Sequence, residues 1–278
     1  MENVSFQPIK PHIGALVQVD RARLCDDDVV SACLEALESR GVLVFPRIGL
    51  TDEQQLAFTD KLGVRVNFTK RAPGGDVDSK DVYTITLDPK INKEPEYILG
   101  TFFWHMDGVT SDIPPPRATV LSARRTSAKG GQTEFASTYA AYEFLPAEEK
   151  AELRDLRVVH TVTAAVREVA TPDEIDPVRR GYRREHPLVW THRSGRTSLL
   201  IGYTADYVVG RPKAEGRALL ARLLEWTAQP DFTYRHRWSE GDLVIWDNCG
   251  TLHRVIPYDA CSGRLMHRTS VAGVEAVV

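Results

Sequence analysis

"DLVIWDNCGTLHRV", residues 242–255, is the stretch on which the fold turns. Leu243 to Trp246 is a short run of bulky apolar residues, the length of a strand buried on both faces. A polar Asp247-Asn248 turn follows, and then His253. A lone histidine in such a place is more often a strand-end residue bonded to a carbonyl than a metal ligand. Its meaning depends on what the rest of the chain brings to it.

Outward from this stretch the same pattern recurs. "DVYTITLD" (81–88), "RATVLSAR" (117–124), "QTEFAS" (132–137), "RVVHTVT" (157–163), "TSLLIGY" (197–203) and "RLMHRTSVAG" (264–273) all read as strands between Gly, Pro and Asp clusters. Residues 26–40 have Val29, Val30, Cys33, Leu34 and Leu37 at helical spacing, with acidic residues at the start. "GVLVF" (41–45) is a buried-strand candidate. A second helix is expected over 51–63, with Thr51 and Gln54 spaced as a capping box and Gly63 as its stop. Further helices are expected at about 138–154 and 212–227, the latter opening on Pro212. Many short strands, few helices and no regular βα alternation predict a mainly β protein with flanking helices, a sandwich or barrel. No repeat or long linker divides residues 1–278, which read as a single domain. The polar, proline-rich segment 167–187 is the candidate lid or insert.

The bulk numbers exclude several classes. Net charge is −3, from 35 basic and 38 acidic residues, so nothing draws the chain generally to nucleic acid or an anionic membrane. No apolar run approaches the ~20 residues of a membrane span, and the first residues lack the layout of a secretory signal. The four cysteines form no C-x-x-C pair, which argues against a zinc ribbon and for free thiols in a cytoplasmic protein. A homo-oligomer is left open. There is no G-x-G-x-x-G, phosphate loop, H-E-x-x-H or G-x-S-x-G.

His105 and Asp107, in "FFWHMDG" (102–108), sit two apart. Eight histidines among 38 acidic residues in 278 predict about 1.1 such pairs by chance, and the chain has one. The pair therefore carries no weight alone. On a strand, residues two apart share a face, so both side chains can converge. With His253 they would complete the two-histidine, one-carboxylate triad of non-haem Fe(II) sites. Arg264 lies eleven residues beyond His253, and Arg268 four further. On a strand over 264–272, Arg264, Met266 and Arg268 share one face. An arginine there needs a carboxylate, from the protein or from a ligand.

"WHMDG", "GGQTEFAS", "WDNCGTLHR" and "GRLMHRTS", in this order and spacing, resemble the taurine dioxygenase family of Fe(II)- and 2-oxoglutarate-dependent oxygenases. The likeness runs from the "GVLVF" strand to the C-terminal strand. "TSLLIGYTADYVVG" is similar to a segment of the aryloxyalkanoate dioxygenase branch. The resemblance implies a double-stranded β-helix, or jelly roll, of the cupin-like kind. It assigns His105, Asp107 and His253 to catalytic iron, and Thr133 and Arg264 to the distal carboxylate of 2-oxoglutarate. Arg268 matches an arginine that meets the substrate's anionic group, while Trp246, Asp247 and Asn248 match framework residues around the site. The implied reaction couples oxidative decarboxylation of 2-oxoglutarate, with O2, to hydroxylation of a small organic substrate, or to cleavage after hydroxylation. Related halogenases lack the carboxylate that Asp107 supplies, so halogenation is not expected.

Two departures argue against taurine itself. Cys249 stands where the family often has an arginine, and Asn67 is the nearest polar residue where sulfonate-binding members carry a histidine. Asn67, Phe103 and Arg268 are the substrate-pocket candidates, and a small carboxylate is the expected substrate. The alternatives are a zinc or manganese cupin-type hydrolase or isomerase on the same triad, and a non-enzymatic binding sandwich. The hydrolase or isomerase needs no Arg264 and no Thr133.

Overall fold

The run at 42–45 is apolar at every position because its strand is covered on both faces. The computed structural model describes residues 4–66, 82–92, 98–110, 114–175 and 177–277. Among these, Val42–Phe45 lies inside a seven-stranded sheet. The strand order is Ser5–Pro8, Ala15–Gln18, Val42–Phe45, Leu243–Asp247, Ala118–Arg125, Leu265–Val271 and Tyr83–Ile85. Neighbours are antiparallel except Ala15–Gln18 beside Val42–Phe45. Successive side chains on a strand point to opposite faces. One face presents Leu43, Phe45, Val120 and Ile245 to helices Asp27–Arg40 and Asp52–Leu62, which answer with Val29, Cys33, Leu37 and Phe58. The other presents Val42, Val44, Leu121, Val244, Trp246 and Met266 to Phe135 of a second sheet.

That second sheet is antiparallel throughout, in the order Thr233–His236, Thr133–Ser137, Thr251–Val255. Its far face, through Ala136 and Leu252, joins a third layer containing Trp190, Leu199 and Leu200, with Leu220 and Leu223 of helix Lys213–Thr227. A mainly antiparallel and a wholly antiparallel sheet enclosing one core, with helices outside, make the expected jelly roll. Among the described residues no helix is long and apolar enough to cross a membrane.

Local expectations meet three differences. The capping box at Thr51 forms, with Gln54 Oε1 accepting from Thr51 N and Thr51 Oγ1 accepting from Gln54 N. The helix expected at 138–154 splits into Thr138–Glu143 and Ala147–Leu153. Pro146 lies at the break, since it has no N–H to continue the ladder and disfavours helical backbone before it. Residues 183–187, read from composition as part of a loop, form strand Arg183–Pro187 against Arg157–Thr161. Its outward residues are charged, so the alternation of a half-buried strand looks like loop polarity. His253, for which a strand-end place was the bland alternative, sits instead at the centre of strand Thr251–Val255.

Candidate metal centre

The two sequence-distant histidines meet across a single antiparallel bridge. His105 N–H donates to His253 O at 3.0 Å, and His253 N–H donates to His105 O at 2.9 Å. This reciprocal pairing sets the residues directly opposite one another, with ring centroids 4.1 Å apart. His105 Nδ1 lies 2.8 Å from Phe103 O. A carbonyl can only accept, so Nδ1 carries the hydrogen and Nε2 keeps its lone pair for a metal. The chain then turns at Gly108, where φ is +77° and a Cβ would come 2.5 Å from Pro116 Cδ. That turn leaves Asp107 beside the histidines.

One ligand atom from each of His105, Asp107 and His253 lies within 4.8 Å of the others. His253 Nε2 is 3.8 Å from Asp107 Oδ2. Two imidazoles and one carboxylate on one side of a buried point form the donor set of a non-haem iron site. Burial, then the neighbouring His105, keeps His253 neutral well below the usual histidine range. Burial likewise lowers His105. Burial alone would raise the Asp107 carboxyl, but Arg268, His253 and His105 outweigh it and hold it at about 2. The three ligands are therefore in their metal-binding protonation states at neutral pH.

The large sheet supplies the outer partners of Asp107. Arg268 Nη2 lies 2.9 Å from Asp107 Oδ2, and Thr119 Oγ1 donates to the same oxygen at 2.8 Å. Arg268 thus faces the site but is placed on a ligand of the triad rather than directed only at a substrate anion. Thr119 was not singled out from sequence. Its signal was one polar residue among the inward positions Thr119, Leu121 and Ala123 of "RATVLSAR".

Arg264 has a different environment. It is 2% exposed, yet neither terminal guanidinium nitrogen has a hydrogen-bond partner among the described residues. The Tyr258 ring lies 4.8 Å from its guanidinium carbon, and a Cβ on Gly131 would come 3.0 Å from its Cδ. Thr133, buried two residues beyond Gly131, accepts from Trp238 Nε1 at 2.9 Å. Its own hydroxyl hydrogen is left to donate elsewhere. A buried, orphaned guanidinium is costly unless an anion meets it, and a carboxylate is the planar partner it fits. The donor set and this orphaned arginine fit iron and an anionic co-substrate.

Of the substrate-pocket candidates, Phe103 is partly buried, with its ring centroid 4.5 Å from that of Tyr203. Tyr203 N–H donates to Trp104 O at 2.8 Å, which anchors this aromatic pair next to His105. Asn67 lies outside the described residues. Cys249 lines a separate cavity of about 240 Å³ with Tyr139, His192 and Asp247, and no triad residue lines it. Burial pushes the Cys249 thiol well up, and raises Asp247 to about 6.

Comparison with known proteins gives the same direction. The family model for taurine catabolism dioxygenase TauD, TfdA family matches residues 5–270. The chain is 34% identical over 289 residues to the alpha-ketoglutarate-dependent 2,4-dichlorophenoxyacetate dioxygenase of Cupriavidus pinatubonensis, covering 99% of this chain and 100% of that one. It is 31% identical to the (S)-phenoxypropionate/alpha-ketoglutarate-dioxygenase of Sphingobium herbicidovorans, covering 97% and 95%. A crystal structure of AAD-2 in complex with Mn(II) and N-oxalylglycine superposes with a TM-score of 0.84 at 31% identity, covering 99% of this chain and 100% of that one.

Proposed function

The chain belongs to the taurine catabolism dioxygenase TauD, TfdA family, and from that premise we propose how its site works and on what. It is an Fe(II)- and 2-oxoglutarate-dependent dioxygenase of small organic molecules. His105, Asp107 and His253 hold the iron, and Arg264 with the Thr133 hydroxyl takes the distal carboxylate of 2-oxoglutarate. The observations that carry this reading are the clustered His105, Asp107 and His253 and a buried Arg264 whose terminal guanidinium nitrogens have no hydrogen-bond partner among the described residues. A hydrolase or isomerase on the same triad has no use for that arginine.

Fe(II) together with 2-oxoglutarate and dioxygen supplies the oxidising equivalents for attack on a substrate C–H bond, with succinate and carbon dioxide as co-products. The protein's own part is binding, orientation and exclusion of water. Arg264 sets the co-substrate's direction through two parallel hydrogen bonds. Phe103 and Tyr203, the aromatic pair next to His105, wall the site with apolar surface. Arg268 carries five N–H donors in a fixed fork, so it can serve Asp107 and turn further donors to an anionic substrate.

The substrate we assign is a small carboxylate of the aryloxyalkanoate kind. Two lines support it: the names of the relatives, 2,4-dichlorophenoxyacetate and (S)-phenoxypropionate dioxygenases, and the presence of both an arginine on Asp107 and an aromatic pair adjoining His105. Segment 167–187 is the proposed cover. His186, on strand Arg183–Pro187 at the end of this segment, has Nε2 2.8 Å from Val109 O, two residues past Asp107.

Two measurements test this reading. Anaerobic addition of Fe(II) and 2-oxoglutarate should produce a visible charge-transfer band, and its absence would favour the hydrolase. A panel of aryloxyalkanoates, sulfonates and sulfate esters should then show succinate formation driven best by an aryloxyalkanoate. Preference for a sulfonate or sulfate ester would overturn the substrate class.

A further inference from the structure

A carboxylate does not orient itself. The last torsion of an aspartate side chain is broad and shallow, so the direction of Asp107 depends on what its oxygens touch. Three buried side chains from two other strands and a turn run to one of them in series. Trp246 Nε1 lies 3.0 Å from Asn248 Oδ1, Asn248 Nδ2 lies 2.8 Å from Thr119 Oγ1, and Thr119 Oγ1 lies 2.8 Å from Asp107 Oδ2.

The direction of this series is forced by chemistry. An indole N–H can only donate, so the Asn248 atom it meets must be the carbonyl oxygen. The other end of the amide is then the NH2 group, which can only donate. Thr119 must therefore accept from Asn248, and its single hydrogen is committed to Asp107. No step can be reversed without orphaning a buried donor. Asn248 and Thr119 are both fully buried, where such an orphan costs the most.

We propose that Thr119, alongside Arg268 on the same oxygen, is a positioning residue that fixes the Asp107 carboxylate for the metal, and that Asn248 and Trp246 fix Thr119. This rests on the assignment of Asp107 as a ligand above. Asn248 also has a purely structural bond, its backbone N–H to Arg117 O at 3.0 Å, so the test must separate orientation from folding.

The test titrates the metal-free, full-length protein with Mn(II) alone and reads free Mn(II) by electron paramagnetic resonance. Melting temperature without metal is measured alongside. Thr119→Val removes the hydroxyl at constant shape, and Thr119→Ser restores it. Outer partners of metal ligands are typically worth about 10–100-fold in metal affinity. The expectation is a loss of at least about tenfold in Thr119→Val and recovery to within about threefold in Thr119→Ser. Unchanged Mn(II) affinity in Thr119→Val, whatever its melting temperature, overturns the proposal. So does a loss that Thr119→Ser fails to recover.

If Thr119→Val does not fold, Asn248→Asp decides the matter. It keeps the acceptor for Trp246 but draws the Thr119 hydrogen away from Asp107. Added negative charge alone would tighten Mn(II) binding, whereas the proposed series predicts weaker binding. Tighter or equal binding overturns it. Absence of Mn(II) uptake by the unsubstituted protein would instead refute the ligand assignment, and the proposal with it.

Discussion

Arg268 Nη2 sits 2.9 Å from Asp107 Oδ2, with both side chains buried, so a proposed metal ligand and an arginine share one ion pair between the two sheets. Removing one member of a buried pair leaves the other uncompensated. Arg268→Met should therefore destabilise the metal-free protein by about 3–5 kcal/mol. A divalent cation can take over part of the arginine's role, so Mn(II) should raise the melting temperature of the variant more than that of the parent. Equal shifts in thermal unfolding would show that the pair does not govern Asp107.

Asp107→Ala should reduce substrate-dependent succinate formation by more than about 100-fold, beyond what an outer partner of a ligand contributes. Retention of full turnover would remove Asp107 from the ligand set.

Arg264→Met replaces an orphaned buried charge by an apolar side chain of similar length. Two charge-assisted hydrogen bonds to a carboxylate contribute about 3 kcal/mol, so the concentration of 2-oxoglutarate needed for half-maximal rate should rise about 100-fold. The same substitution should raise or leave unchanged the melting temperature of the ligand-free protein. A change confined to the substrate's KM would place Arg264 on the wrong molecule.

Asp247 gives a pH dependence whose sign can be worked out. Burial raises its carboxyl from 3.8 to about 6 in the folded chain. Between those values the folded state binds more protons than the unfolded one, so stability falls as pH rises from about 4 to 6. Asp247→Asn cannot ionise. It should gain on the parent over that window, by at most about 3 kcal/mol at pH 8 relative to pH 4. Denaturant midpoints of both proteins from pH 4 to 8 check this, and parallel curves would contradict it.

The candidate centre was legible in part because some of its rules are local. Residues two apart, His105 and Asp107, were expected to converge and do, whereas the strand expected over 264–272 begins at Leu265 and shifts register before Met266, so alternation does not relate Arg264 to Arg268. Apolar runs marked the strands, and the capping box at Thr51 was readable from two residues. Strand Arg183–Pro187 was hidden because charged outward residues mask its alternation. The helix break before Pro146 falls inside an otherwise continuous helical pattern.

The sequence by itself determined the kinds of candidate ligand, their order along the chain and the close spacing of His105 and Asp107, because those depend on residues a few positions apart. Only the tertiary structure decided that His105 faces His253, that Arg268 meets Asp107, that the terminal nitrogens of buried Arg264 have no hydrogen-bond partner among the described residues and that Thr119 receives a hydrogen bond from Asn248. Each of these is a contact between distant segments. Alternation tells which face a side chain takes, while strand order and register decide what waits on the other side.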